Sequence, residues 1–483
     1  MTDVVVTKIN NIYMSLDAEP SVLQELSDFF TFSAPNAKFS PSYKSGYWDG
    51  KIRLFSLKTK QIYVGLQKYV AEFCKLNNYN FIIEKKEIYP VDTKNLSKAL
   101  NLPFDARDYQ LLASSYALSH KRCVIVSPTA SGKSLIIYLI VRHLISYKKQ
   151  GILIVPTVSL VEQMYTDFKS YGWEVDKYCQ KIYAGQPKEP DKFLVISTWQ
   201  SVFDMPKSYF KDFDFIIGDE AHTFKAKSLT TIMDNLVNAD VRIGTTGTID
   251  STKVHQLVLE GLFGSIKKVV STKTLMDRGQ LATLNIKCMV LKYPTESCKL
   301  AKKMSYQEEI DYIVRFHPRN EFISKLALSL EGNSLILFTY VDKHGKVLFD
   351  NIKKQAGNRK VFFVFGGTEV QDRESIRAIT EKETDAIIVA SYGVYSTGIN
   401  IKNLHNIIFS SPTKSKIRSL QSIGRGLRLG QDKLSATLYD IVDDLRSSSH
   451  DNFAIKHFEE RANIYSGEKF PFKIYNFNLT QKE

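Results

Sequence analysis

The run Ser127–Ser134 ends in Gly132-Lys133-Ser134, between the apolar stretch Val124-Ile125-Val126 and the helix-like Leu135-Ile136-Ile137-Tyr138-Leu139. A small-residue loop in that position turns backbone N–H groups toward a phosphate. Lys133 adds a positive charge, and the Ser134 hydroxyl can bind Mg²⁺. Thr129, Ala130, Ser131, Gly132, Lys133 and Ser134 are therefore candidates to cradle a nucleotide. Ser127 stands where such loops usually carry Gly or Ala, and it is small enough for the loop to close. An ordinary polar turn before a helix would have no need of Gly-Lys-Ser in this order.

Asp219 lies 86 positions after Lys133, at the end of Phe213-Asp214-Phe215-Ile216-Ile217-Gly218. A largely apolar strand thus delivers two adjacent carboxylates to one edge of a sheet. Asp219 can hold Mg²⁺ through its water shell, while Glu220 can orient and deprotonate an attacking water. An isolated acidic pair after a strand is usually solvated surface; its company with the phosphate loop reverses that expectation. Upstream, Arg107-Asp108-Tyr109-Gln110 precedes the first strand, and Gln110 has the donor and acceptor needed to read an adenine edge.

The elements that must position these groups alternate. Arg122–Val126, Gly151–Val155, Phe193–Ile196 and Phe213–Ile217 read as strands of a first parallel sheet, and Ser334–Phe338, Val361–Phe365, Ala386–Ala390 and Asn406–Phe409 as strands of a second. Continuous apolar strands with helical crossovers predict two α/β units. Residues 1–100 predict a smaller α+β unit. Val4-Val5-Val6 suggests a strand, Ser21–Leu26 starts a helix behind Pro20, and Trp48–Phe55 is a turn entering a strand. Leu66, Tyr69, Val70, Phe73 and Leu76 have helical spacing. Pro90 to Pro103 reads as a connector. The expected divisions are 1–100, 101–275, 276–445 and a helical tail over 446–483.

The chain has 483 residues, 43% apolar, enough for several folded domains. Its formal charge of +14 suggests a polyanionic partner, either nucleic acid or an acidic membrane. No apolar stretch is long enough to span a bilayer, which needs about 18 residues, and no secretory signal opens the chain. Five cysteines without C-x-x-C spacing argue against a disulfide framework or structural zinc and fit a reducing cytosol. The charge is uneven: residues 101–250 are net +1, whereas residues 251–330 are net +6. Residues 38–86 are net +7, interleaved with Tyr43, Tyr47, Trp48, Phe55 and Tyr63, which points to a duplex- or junction-binding module that includes Lys58 and Lys60. The alternative is a solvated basic face over core aromatics.

Taken in order along residues 104–430, the chain resembles the superfamily 2 helicases and translocases. Arg107–Gln110 resembles the Q motif, Pro128–Ser134 motif I, Val155-Pro156-Thr157 motif Ia and Ser197–Ser201 motif Ib. Asp219–His222 is a DEAH box. Gly244–Thr248 takes the place of motif III, Leu335–Tyr340 resembles motif IV, Ser396–Asn400 motif V and Gln421–Arg428 motif VI. With Gly46–Ile52 ahead of this motor, nearly the whole chain resembles the UvsW-type DNA helicases of T-even phages.

The resemblance implies two RecA-like lobes with ATP and Mg²⁺ between them. Gln421, Arg425 and Arg428 would come from the second lobe, the arginines stabilising charge on the transferred phosphoryl group when the lobes close. His222 with Thr246 or Thr248 would couple hydrolysis to movement, although the family's usual motif III is Ser-Ala-Thr. Thr157, Thr198, Thr397 and Gly398 would grip a DNA backbone, without reading bases. It also implies a monomeric or weakly oligomeric motor in the infected host's cytosol, acting on forks, Holliday junctions, D-loops and R-loops, RNA in hybrids included, during recombination, repair and replication control. The motor motifs alone do not separate a DNA from an RNA helicase, which is the nearest rival, and an ATP-gated clamp that does not translocate is a non-motor alternative. The motor subunit of a restriction system fits less well, since no nuclease-like cluster stands out.

Overall fold

The computed structural model describes residues 3–480 apart from positions 36, 84–87, 225, 250–251, 398–400, 402, 413–434 and 448–450. Gly398, Gln421, Arg425 and Arg428 lie outside the described residues, as does the side chain of Thr397. The chain forms two compact units, one of residues 1–127 with 132–270 and the other of residues 271–483 with the short stretch 128–131.

The first unit holds a seven-stranded, all-parallel sheet in the spatial order Cys179–Ile182, Leu194–Thr198, Gly151–Val155, Phe215–Asp219, Val241–Thr246, Arg122–Val126 and Ser265–Lys268. Side chains alternate between its faces as the pleat requires. Cys123, Ile125, Leu153, Val155 and Ile217 pack under helices Asp108–His120, Lys133–Ser146 and Val158–Ser170. Val124, Val126, Ile152, Ile154 and Ile216 pack under helices Lys227–Asn235 and Lys253–Phe263. Burial on both faces explains the unbroken apolar runs.

Val241–Thr246 escapes the apolar pattern because Arg242 interrupts it. That guanidinium is fully buried and donates to the carbonyls of Met233 (2.7 Å), Leu236 (2.8 Å), Ala239 (3.3 Å) and Leu262 (3.5 Å). Burial lowers its pKa to about 10. Strands Leu194–Thr198 and Phe215–Asp219 begin one and two residues later than the apolar runs suggest.

The N-terminal region packs into this same unit. Its sheet runs Phe55–Ser56, Gln61–Tyr63, Tyr13–Ala18, Val4–Lys8 and Phe81–Ile82, antiparallel except for the last pair. Helices Pro20–Phe29 and Gln67–Leu76 cover it, and its core takes in Leu257 from helix Lys253–Phe263. Gly65 fits there because a Cβ would stand 1.9 Å from the carbonyl oxygen of Glu260. The Glu260 carboxylate, nearly fully buried, accepts from Lys68 Nζ (2.7 Å) and from the Tyr69 hydroxyl. The connector after Pro90 contains a helix, Thr93–Ala99, whose first N–H groups are capped by Asp92.

The second unit repeats the parallel design: Val361–Val364, Ile387–Ser391, Ser334–Phe338, Asn406–Phe409, Ser435–Asp444, Thr283–Lys292 and Phe472–Asn478. Ser435–Asp444 hides its apolar character behind Asp440 and Asp443. Both are buried, the first against Arg461 (2.8 Å) and the Tyr465 hydroxyl (2.8 Å), the second against Arg319 (2.6 Å) and the Tyr293 hydroxyl (2.9 Å). The C-terminal segment is not helical throughout. Helix Phe453–Gly467 is capped by the buried Glu309 carboxylate, which accepts from Phe453 N (3.0 Å) and Ala454 N (2.8 Å). The alternating Phe472–Asn478 then extends the sheet beside Thr283–Lys292. The fold is α/β, with two RecA-like parallel-sheet lobes and an N-terminal α+β region.

Candidate functional site

Three adjacent strands of the first lobe end together at one edge of the sheet. Asp219 lies beside Thr245, and Thr246 beside Val126. The loops that leave this edge carry Gly132-Lys133-Ser134, Glu220 and Thr248. In parallel sheets of this kind, ligands collect outside the carboxyl ends of the strands.

The phosphate loop is joined to the sheet by Ser127, fully buried, whose N–H bonds to Thr246 O at 3.0 Å. Ala130 and Gly132 adopt left-handed backbone, φ +67° and +78°, and Gly132 directly precedes helix Lys133–Ser146. A Cβ at Gly132 would meet Gln110 Nε2 at 2.4 Å, so glycine is needed there. Gln110 is buried. Its Oε1 accepts from Arg107 N (2.9 Å) and its Nε2 approaches Gly132 O (3.4 Å), while Arg107 Nη1 donates to the Tyr109 hydroxyl (3.0 Å). The Ser134 hydroxyl pairs with the Tyr171 hydroxyl at 2.9 Å. Sequence reasoning missed Tyr171, which no motif marks. Burial pushes its phenol up to about 12, so it stays a neutral hydrogen-bonding group.

Asp219 is buried at the edge, and the Thr245 hydroxyl donates to its Oδ1 at 2.7 Å. Burial raises the carboxyl above the usual carboxylate range and the neighbouring Glu220 adds to this, while the Lys133 ammonium opposes it. Thr245 belonged to the expected motif but was not singled out; its partnership with Asp219 follows from the strand register alone.

Glu220 takes left-handed backbone, φ +50°. This turns the chain sharply so that Glu220, His222 and Thr246 converge. His222 Nδ1 lies 3.0 Å from Thr246 Oγ1 and 3.3 Å from Glu220 Oε2. Thr246 Oγ1 also reaches Thr248 O (2.9 Å) and Glu220 Oε2 (3.4 Å). Thr248 joins through its backbone; its own hydroxyl is buried without a hydrogen-bond partner among the described residues.

The other expected residues are dispersed. Thr157 precedes helix Val158–Ser170. Thr198 ends its strand, buried, with its hydroxyl 2.9 Å from Ser201 Oγ. Thr397 ends helix Tyr392–Thr397. Lys58 is exposed, and Lys60, in left-handed backbone, pairs with Asp17 at 3.2 Å.

The donor set at the sheet edge is an ammonium, a hydroxyl and carboxylate oxygens beside a helix N-terminus. It suits phosphate together with a hard divalent cation. Two RecA-like lobes carrying this edge define a nucleotide-using motor of helicase superfamily 2. Residues 3–84 match the family model "DNA helicase UvsW, N-terminal", residues 103–251 "Type III restriction enzyme, res subunit", and residues 318–430 "Helicase conserved C-terminal domain". The ATP-dependent DNA helicase uvsW of Enterobacteria phage T4 is 35% identical over 97% of this chain and 98% of its own. The chain belongs to the UvsW family of helicases.

A crystal structure of T4 UvsW superposes with a TM-score of 0.51 at 33% identity, covering 99% of this chain and all of that one. The Type ISP restriction-modification enzyme LlaBIII shares the fold, with a TM-score of 0.59 at 16% identity over 78% of this chain and 32% of its own. Among the described residues no helix is long and apolar enough to cross a membrane.

Proposed function

We propose that this chain is an ATP-dependent DNA helicase that remodels branched DNA, namely forks, Holliday junctions, D-loops and R-loops, in recombination, repair and replication control within an infected host's cytosol. The observation that carries the reading is the sheet edge that gathers Lys133, Asp219, Glu220 and Thr246, in a chain related along its whole length to a phage DNA helicase.

In this reading the N–H groups around Gly132 and the Lys133 ammonium hold the nucleotide phosphates, with Arg107 and Gln110 at the base. Thr129, Ala130 and Ser131 shape the cradle. Ser134 and Asp219 hold Mg²⁺, which neutralises phosphate charge when bound. Glu220 positions the attacking water and takes its proton. Arg425 and Arg428 stabilise the transferred phosphoryl charge, with Gln421 beside them, a role supported by the Gln-x-x-Gly-Arg-x-x-Arg spacing. His222 and Thr246 sense the state of Glu220, with Thr248 joined to them through its backbone. Thr157, Thr198, Thr397, Gly398, Lys58 and Lys60 contact the DNA backbone. The motor works as a monomer or weak oligomer.

The test is ATP hydrolysis measured with single-stranded DNA, duplex, forks, four-way junctions and RNA. Forks and junctions are expected to stimulate most; selective stimulation by RNA would defeat the reading. Displacement of a triplex strand distinguishes a motor from a clamp.

A further inference from the structure

The basic, aromatic stretch near the N-terminus separates into two kinds of residue. Phe55 is in the core, 1% exposed, and Tyr63 packs toward helix Lys253–Phe263. Tyr47 and Phe39, by contrast, are 92% and 77% exposed. Both sit on the segment that links the paired strands Thr31–Ser33 and Lys51–Arg53. Both rings therefore stand in solvent on one loop, with their faces open to a flat partner.

The segment is braced from within. Ala34 N bonds to Gly50 O (2.8 Å), Trp48 N to Ser42 O (3.1 Å) and Trp48 Nε1 to Lys51 O (3.0 Å). Gly50 takes left-handed backbone, φ +74°, and a Cβ there would stand 2.9 Å from the Tyr43 ring. Tyr43, 39% exposed, thus supports the Gly50 turn with one edge of its ring and keeps part of the ring in solvent. The loop is also cationic. Its one carboxylate, Asp49, is engaged by Arg53 and by Lys51 N (3.0 Å) and is held down to about 2, chiefly by the Arg53 hydrogen bond. Lys38 and Lys44 are exposed and have no carboxylate partner among the described residues.

We propose that this loop is a base-stacking platform, on which Tyr47 and Phe39 take the bases left exposed where DNA branches while Lys38 and Lys44 meet the flanking phosphates. The proposal rests on the DNA reading above and gives it a specific contact. Aromatic faces accept any base, and cations beside them track the backbone. Bases present free faces only where stacking is broken, so the platform favours branch points over continuous duplex. A protein partner for the same rings lacks the charge argument: the loop offers unpaired cations, which suit a polyanion.

The experiment places the fluorescent base 2-aminopurine either at the branch of a fork or inside a hairpin-capped duplex. The full chain is expected to quench the branch-point base and leave the internal one unchanged. The double variant Tyr47→Ala with Phe39→Ala is expected to lose that quenching and about tenfold in fork affinity, with little change on the capped duplex; Tyr47→Trp should retain quenching. Both rings are exposed, so neither change disturbs a core. Quenching unchanged in the double variant, or equal losses on fork and capped duplex, would overturn the platform. Absence of DNA-stimulated ATP hydrolysis in the unaltered chain would instead overturn the helicase reading, so the two failures are distinct.

Discussion

The hydroxyl of Thr246 and Nδ1 of His222 are 3.0 Å apart, and they link the turn after Phe215–Asp219 to the end of Val241–Thr246. The Thr246 proton goes to Thr248 O at 2.9 Å. Its oxygen can then accept from His222, which places the imidazole proton on Nδ1 by hydrogen-bond assignment. With Glu220 Oε2 3.3 Å from the same nitrogen and 3.4 Å from Thr246 Oγ1, any change in the charge of Glu220 reaches Thr246 both directly and through one ring.

Replacing Thr246 with Val keeps the shape and removes that link. Strand displacement should fall about tenfold or more while ATP hydrolysis falls less, and Thr246→Ser should restore most of the loss. The buried partners left unmatched cost about 1–3 kcal/mol, enough for such an effect. An equal fall in both activities would show that Thr246 serves hydrolysis itself.

Lys133→Ala should abolish turnover and leave DNA binding largely intact. Lys133 is at the first turn of its helix, and its ammonium favours the ionised form of the Asp219 carboxyl. Filter or anisotropy binding alongside phosphate release checks both halves. Surviving hydrolysis would remove the phosphate-loop assignment.

Glu220→Gln should hold nucleotide and DNA yet hydrolyse at least about a hundredfold more slowly, because the amide cannot take a proton. A single-turnover assay with bound nucleotide separates this from a binding defect. Full activity would assign the base elsewhere.

The nucleotide edge was legible because its chemistry is local: Gly132-Lys133-Ser134 and Asp219-Glu220 each occupy a few adjacent positions after an apolar run. Two of the strands that escaped the sequence reading, Val241–Thr246 and Ser435–Asp444, carry buried charge. Each charge breaks an apolar run, and only tertiary partners, carbonyls for Arg242 and Arg461 for Asp440, satisfy it inside the fold. Tyr171 was invisible for a related reason, since it reaches Ser134 across 37 positions. The aromatics of the N-terminal stretch could not be sorted by type: Phe55 and Tyr47 are both aromatic and have opposite exposure.

Tyr171→Phe tests whether the phenol holds Ser134 ready. The ring rests edge-on against Tyr138 and Phe104, at 5.2 and 5.5 Å between centroids, and phenylalanine preserves that packing. Freed from its partner, the Ser134 hydroxyl should bind Mg²⁺ less well, raising the Mg²⁺ needed for half-maximal hydrolysis by a few-fold at unchanged melting temperature. An unchanged Mg²⁺ titration would mean the hydroxyl needs no support.

Gly65→Ala should loosen the N-terminal region from the first lobe. The added Cβ would lie 1.9 Å from Glu260 O and the clash involves backbone, so no side chain can swing aside. Either helix Lys253–Phe263 shifts or the turn Val64–Leu66 lifts away, at a cost of about 1–3 kcal/mol for forced overpacking. The same movement separates Lys68 and Tyr69 from the buried Glu260 carboxylate, which would then lose two partners at once. Lower thermal stability and faster proteolytic release of the N-terminal region are expected, with Glu260→Gln milder because it keeps the packing. That helix follows the Thr248 loop in the chain, so the variant should also lose strand displacement more than hydrolysis. A Gly65→Ala protein that melts and displaces strands like the parent would show that the two regions do not depend on this contact.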